Sequence, residues 1–223
     1  MNQHFIRELG NLNKHLLTMS ILVEDRLKMV LLALQTLDAE VAATIAQSDN
    51  VVDEIEVALE EECLKILALY HPVAMDLRFL VTTTRINNDL ERIGDEIRNI
   101  AYRIKHMSGH SHVAFYYDYT DMGQKTLIML NHSIKALIDR DVKLALKVLK
   151  LDNEVDALQK QAYDVIKAAF AGNHAHSGYL LNMFLVSRHL ERIGDLATNI
   201  CEDVIYMERG KIVRHKKNIE MET

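Results

Sequence analysis

A run of six residues occurs twice in this chain. Leu90-Glu91-Arg92-Ile93-Gly94-Asp95 returns as Leu190-Glu191-Arg192-Ile193-Gly194-Asp195, and Asn99-Ile100 returns as Asn199-Ile200 in the same register. Upstream, Asp49-Asn50-x-Val52-Asp53 returns as Asp152-Asn153-x-Val155-Asp156. The copies are 103 residues apart upstream (152 − 49) and 100 apart downstream (190 − 90), so the second has a loop three residues shorter. An internal duplication of this kind confines the chain to two related units.

Each unit must be helical. The 223 residues include one proline and eight glycines, too few for the frequent turns a sheet protein needs. Apolar residues recur at helical spacing almost throughout. The pattern predicts six helices, over about 9–37, 39–69, 72–106, 121–138, 141–171 and 179–208. Asp38 and Asp141 stand where N-caps are needed, Pro72 suits a first helical turn, and Gly210 is placed to stop the last helix. The expected fold is all-α: two tandem, sequence-related three-helix bundles. The units span 1–107 and 120–210, with a linker at 108–119 and a tail at 211–223.

Composition narrows the function. Hydrophobic residues at 49% and charged residues at 26% describe a globular chain, and the net charge of −6 argues against nucleic acid as partner. The basic stretch from Arg209 to Lys217 reads as a solvated tail. Cys63 and Cys201 form no CxxC pair and read as buried thiols of a reduced, cytoplasmic protein. The N-terminus lacks a signal-peptide pattern, and no apolar run nears the roughly 20 residues of a membrane span. The sequence contains no Glu-x-x-His, His-Glu-x-x-His, Walker loop, GxGxxG or GxSxG. His106, His110 and His112 read as part of a polar loop, and Met19, Met29, Met122 and Met129 as core or helix-packing residues.

The duplicated segments carry acidic pairs at i, i+4: Asp49/Asp53 with Glu91/Asp95, and Asp152/Asp156 with Glu191/Asp195. Such a pair alone is a solvated helix face, and like charges at this spacing cost a few tenths of a kcal/mol. Recurrence at matched places gives these weight. The pairs of each unit lie about 20 residues either side of a turn, near His71 in the first and His174 in the second. In an antiparallel hairpin rising about 1.5 Å per residue, both pairs then sit about 30 Å from the turn, at one level. On the third helix the apolar stripe is Leu90, Ile93, Ile97, Ile100 and Ile104, which turns Glu91 and Asp95 outward or to the flank. Four gathered carboxylates repel unless a cation neutralises them, and hard oxygen donors suit magnesium, manganese, calcium or iron, and zinc less well. Glu56 and Glu60 extend the first stripe, where the second unit has Gln159 and Tyr163. This predicts a larger or tighter metal cluster on the first unit. Gly94 and Gly194, costing about 1 kcal/mol each in a helix relative to Ala, read as close helix approaches, with clearance for the acidic site as the alternative.

At these residues the chain resembles the PhoU family of bacterial phosphate-uptake accessory and regulatory proteins. His71-Pro72-Val73-Ala74-Met75-Asp76-Leu77-Arg78 is similar to the family's Q-P-V-A-x-D-L-R turn. Asp89 to Asp95 resembles its first repeat motif. His189 to Ile200, with Val204-Ile205-Tyr206 and the segment from Gly210 to His215, resembles its C-terminal signature. Only the linker and the last residues fall outside the resemblance. It implies two three-helix bundles and metal ions, singly or in multinuclear clusters of iron, manganese, magnesium or zinc, on the eight paired acidic residues. It also implies a non-enzymatic adaptor between a phosphate-specific ABC transporter ATPase and a sensor histidine kinase, repressing phosphate-starvation genes when phosphate is plentiful. The chain departs from the family pattern in having His71 in place of Gln and in lacking a Pro-Val-Ala turn in the second repeat. The alternatives are an accessory protein of another phosphate carrier and a metal-dependent phosphohydrolase. The resemblance and the methionine-rich first and fourth helices lead us to expect a homodimer, which would meet the membrane only through its partners.

Overall fold

The computed structural model describes residues 3–47, 50–110, 113, 115–171 and 176–213. Asp49, His112, His174 and the basic residues beyond 213 lie outside them. Among the described residues there are helices and no strands: α1 (Gln3–Thr36), α2 (Ala39–Gln47), α3 (Asn50–Tyr70), α4 (Ala74–Ser108), α5 (Thr120–Asp139), α6 (Val142–Phe170) and α7 (Ser177–Arg209). The expected second helix corresponds to α2 and α3, on either side of residues 48 and 49. The chain is thus two three-helix units, α1 with α2–α3 and α4, then α5 with α6 and α7.

Both hairpin corners that open the second helix of a unit are built alike. Leu37 (φ 51°) and Arg140 (φ 53°) take the left-handed conformation, and the next residue, Asp38 or Asp141, returns its amide to Ala33 O (3.0 Å) or Ala136 O (2.9 Å). The aspartate carboxylates then accept from the first free helix amides. Asp38 Oδ1 takes Glu40 N at 2.9 Å and Val41 N at 3.0 Å, and Asp141 Oδ1 takes Lys143 N at 2.8 Å and Leu144 N at 3.0 Å. These are the N-caps expected from sequence. Gly210 (φ 66°) caps α7 through its amide to Tyr206 O at 2.8 Å, and a Cβ there would meet the Arg78 guanidinium at 3.7 Å.

Four expectations need correction. α1 starts at Gln3, six residues early, because Phe5 is buried and stacks near Tyr70 with ring centroids 5.2 Å apart. Pro72 is not in a first helical turn: His71 (φ 46°) ends α3, Val73 is extended, and α4 begins at Ala74. The linker is partly packed: Tyr119 is 2% exposed, donates its hydroxyl to Met183 O, and stands 4.9 Å from the Tyr117 ring. Met29 is 45% exposed, whereas Met19, Met122 and Met129 are buried as expected.

The apolar stripe of α4 is confirmed: Leu90, Ile93, Ile97, Ile100 and Ile104 are fully buried. At about 1.5–3 kcal/mol per side chain, this stripe is a major part of what holds α4 in place. α4 and α7 are the central helices. Each packs in its own bundle, and their mutual contact is the most extensive in the molecule. They run antiparallel, tied by Arg85 Nη1 to Asp203 Oδ1 (3.4 Å), Glu96 to His189 (2.6 Å) and Arg192 (3.2 Å), and Arg103 Nη1 to Asn182 Oδ1 (3.4 Å). Removing either cap, by Asp38→Ala or Asp141→Ala, is expected to lower stability by about 1 kcal/mol in denaturant unfolding, roughly equally in the two units.

Candidate metal centre

The acidic residues of the second unit are brought together. α6 and α7 pack antiparallel so closely that a Cβ on Gly194 would lie 3.6 Å from Asp152 Oδ1, and 3.5 Å from Met129 Cε of α5. Gly194 is therefore both a packing residue and a neighbour of the acidic site, so the two sequence readings of it coincide. Asp152 is half-buried and shares the electrostatic field of Asp156, Asp195 and Glu191. Burial first, then these three charges, pushes its carboxyl up to about 7. Glu191 and Asp195 are raised too, by burial first and then by nearby acids, Asp195 and Asp156 for Glu191 and Asp156 for Asp195, against the opposing pull of Arg188 and Arg192.

One oxygen of this cluster has no partner. Glu191 Oε2 is cut off from solvent and accepts no hydrogen bond, and its nearest cation, Arg188 Nη1, is 4.0 Å away. A buried carboxylate oxygen left bare costs free energy that a hard cation would recover. The donor set is all oxygen, and burial followed by mutual repulsion is the strongest perturbation, a setting whose chemistry suits a hard cation. Among the described residues no three His, Cys, Asp or Glu side chains already stand as a formed ligand set. Clustered carboxylates without a counter-ion push apart.

The first unit repeats the register. Asn87 Nδ2 of α4 donates to Glu56 O of α3 at 2.8 Å, fixing the level of the two antiparallel helices. One turn further along α4, Glu91 comes level with Asp53, as the hairpin arithmetic required. Burial, then Glu60 and Asp53, raises the Glu56 carboxyl, so the three acids of this stripe act on one another. Asp95 pairs with Arg98 at 2.6 Å, and Glu91 and Asp95 are partly buried on the flank of α4. In the second unit an aromatic contact replaces the far end of the stripe: Tyr163 stands 5.7 Å from Phe184. The His106 and His110 pair is a local helix-end arrangement, His110 Nδ1 meeting His106 O at 3.1 Å. Burial raises both thiols, Cys63 and Cys201, which suits inert core residues.

Sequence reasoning missed the polar core between the centres. His189 Nδ1 and Arg192 Nη1 both bind Glu96. Burial alone would raise Glu96, but the His189 bond and the two cationic groups outweigh it and hold the carboxyl below its ordinary value. Arg92 and Arg192 were visible only as members of the repeated hexapeptide. Their meeting in one cleft with Asp95 and Asp195 depends on α4 crossing α7.

The chain belongs to the PhoU family. The family model, described as PhoU domain, matches it twice, at residues 16–104 and 119–204. It is 34% identical over 209 residues to the phosphate-specific transport system accessory protein PhoU homolog 1 of Thermotoga maritima, covering 93% of this chain and 90% of that one. The fold matches the crystal structure of PhoU from Pseudomonas aeruginosa with a TM-score of 0.89 at 33% identity, over 93% of this chain and all of that one. It also matches the phosphate transport system regulatory protein PhoU from Streptococcus pneumoniae, with a TM-score of 0.83 at 28% identity, over 94% and 99%. Among the described residues no helix is long and apolar enough to cross a membrane.

Folding without metal carries a proton cost at Asp152. Its carboxyl rises from 3.8 to about 7 on folding, so the folded state holds the extra proton between those values. Stability of the metal-free protein should therefore fall as pH rises from about 4 through 7, opposite to an ordinary paired aspartate. Asp152→Asn should raise it at pH 8 by about 1–2 kcal/mol, after discounting for partial solvent screening. Denaturant unfolding in chelator at pH 5 and pH 8 checks both.

Proposed function

We propose that this chain is a metal-binding accessory and regulatory protein of phosphate uptake with no catalytic activity of its own. It joins a phosphate-specific ABC transporter ATPase to a sensor histidine kinase in the cytoplasm, and restrains phosphate-starvation signalling when phosphate is plentiful. The observation that carries the metal part is the bare, buried Glu191 Oε2 in a cluster whose Asp152 is forced to about 7. Family membership supports the phosphate-transport part, through relatives named as accessory and regulatory proteins.

In this reading Asp49, Asp53, Glu91 and Asp95 hold one metal group, extended by Glu56 and Glu60, and Asp152, Asp156, Glu191 and Asp195 hold the other. Iron, manganese, magnesium or zinc would supply positive charge that ties α3 to α4 and α6 to α7. The chain's own part is positional. The register of each hairpin would align the acids, and Gly194 brings α7 beside Asp152. Long helices leave faces such as Ile21, Leu32 and Leu64, each at least half exposed, for protein contacts.

Glu91→Ala with Asp95→Ala is expected to empty the first centre and leave the second, read as metal content per chain by elemental analysis. Glu56→Gln with Glu60→Gln should weaken metal at the first centre by about 1–3 kcal/mol, if each lost carboxylate costs what a charged contact usually does. Unchanged metal content in the first double variant would falsify the site assignment. For the partners, the transporter ATPase and the kinase should both be retained on the immobilised protein, more strongly at high phosphate. The free protein should scatter light as a dimer of its 25.6 kDa chain. Retention of neither partner removes the adaptor reading, and phosphate release from esters with added Mn²⁺ would favour a phosphohydrolase instead.

A further inference from the structure

A cleft of about 510 Å³ opens where α4 crosses α7, between the two acidic centres. Arg92, Asp95 and Glu96 enter it from α4, and Arg192, Asp195 and Thr198 from α7. A second depression of about 470 Å³ adjoins it, sharing Arg92 and Asn199 and adding Arg85 and Asn88 together with the acids Asp89 and Glu202. The duplication explains the composition: Arg92 and Arg192 are the same position of the hexapeptide, and antiparallel packing turns both toward one opening.

The arginines are available to a ligand. Each side chain is 56% exposed, and its ion pair is a long one, Arg92 to Asp89 at 3.3 Å and Arg192 to Glu96 at 3.2 Å. A guanidinium has five donors, so each keeps a face for a further acceptor. Two guanidinium forks with the nearby side-chain amides of Asn88 and Asn199 suit the tetrahedral oxygens of a phosphoryl group. A volume of this size takes more than one such group and lies in the range of small-molecule sites.

Charge opposes an anion in the metal-free protein. Three carboxylates, Asp95, Glu96 and Asp195, face two arginines, a balance of −1. Glu96 is already committed to His189 at 2.6 Å. The other two belong one to each proposed acidic centre, so a cation held there would offset their charge and tip the local balance toward the arginines.

We propose that Arg92 and Arg192 form a binding site for a phosphoryl oxoanion that fills only when the flanking acidic centres hold cations. The proposal rests on the metal reading of those centres. It makes the two occupancies mutually reinforcing, since a cation that favours the anion must be favoured by it in equal measure. It also gives the antiparallel crossing of the repeats a chemical use: one site fed by two centres.

The test uses the full chain, freed of metal with chelator and then reloaded with Mn²⁺, titrated calorimetrically with inorganic phosphate, pyrophosphate and ATP. The Mn²⁺-loaded protein is expected to bind at least one of the three, and the chelated protein to bind it at least tenfold more weakly. Inorganic phosphate binding alone identifies the free anion as ligand, and preference for pyrophosphate or ATP identifies a larger phosphoryl compound. Arg92→Gln with Arg192→Gln should lose at least tenfold in that affinity while keeping the Mn²⁺ stoichiometry. Lys135→Gln, which removes one charge from the outer face of α5, should change neither. Arg92→Lys with Arg192→Lys keeps the charge but not the fork and should fall between, which guards against a folding defect in the glutamine variant. If Mn²⁺ binds and none of the three phosphoryl compounds does, or if binding survives the glutamine pair or is as tight in chelator, the oxoanion site is wrong. If Mn²⁺ itself does not bind, the metal reading fails and the oxoanion site with it.

Discussion

The antiparallel contact of α4 with α7 is the constraint on which the rest of the molecule depends. Each helix is already committed to its own bundle, so their packing sets how the two units lie. The contact is not purely apolar. Asp203, 1% exposed, is met by Arg85, and His189, 7% exposed, is met by Glu96. Buried polar pairs contribute little net stability against well-packed apolar residues, yet breaking one strands a charge. The ladder of such pairs from Arg85 to Arg103 therefore fixes one register between α4 and α7 and penalises a slip by one turn.

That register gives the acidic centres their shared neighbourhood. In the second hairpin, Asp152 shares the electrostatic field of Asp156, Glu191 and Asp195 beside the helix approach at Gly194. Repulsion and burial then push the Asp152 carboxyl to about 7, a perturbation the fold tolerates because the rest of the hairpin is sealed by apolar contacts. Perturbed carboxylates of this kind cluster at functional sites.

The repeats have diverged where the duplication permits it. Glu56 and Glu60 on α3 are matched by Gln159 and Tyr163 on α6, and Tyr163 packs near Phe184 instead of extending the charge. Glu96 is matched by Leu196 and His189 by Asp89. The Glu96 and His189 pair thus has no counterpart across the molecule, and one side of the α4–α7 crossing is tied by it. A twofold arrangement of helices coexists with a one-sided arrangement of polar groups.

Helix content, the duplication, the caps at Asp38, Asp141 and Gly210 and the buried stripe of α4 were all determined by local sequence. They follow from periodicity, backbone preference and rise per residue, which need no knowledge of distant contacts. The start of α1 and the order within the linker were not legible, because Phe5 and Tyr119 are held by residues far along the chain, Tyr70 and Met183. The α4 boundary at Ala74 was missed for a local reason: two non-glycine residues there take positive φ, which sequence preference disfavours. The candidate site divides in the same way. Which carboxylates align is a property of each hairpin, whereas the bare oxygen of Glu191, the Asp152 carboxyl at about 7 and the meeting of Arg92 with Arg192 were decided by tertiary structure alone. Burial and the juxtaposition of charges depend on distances between helices, and those distances are set by packing that no single segment encodes.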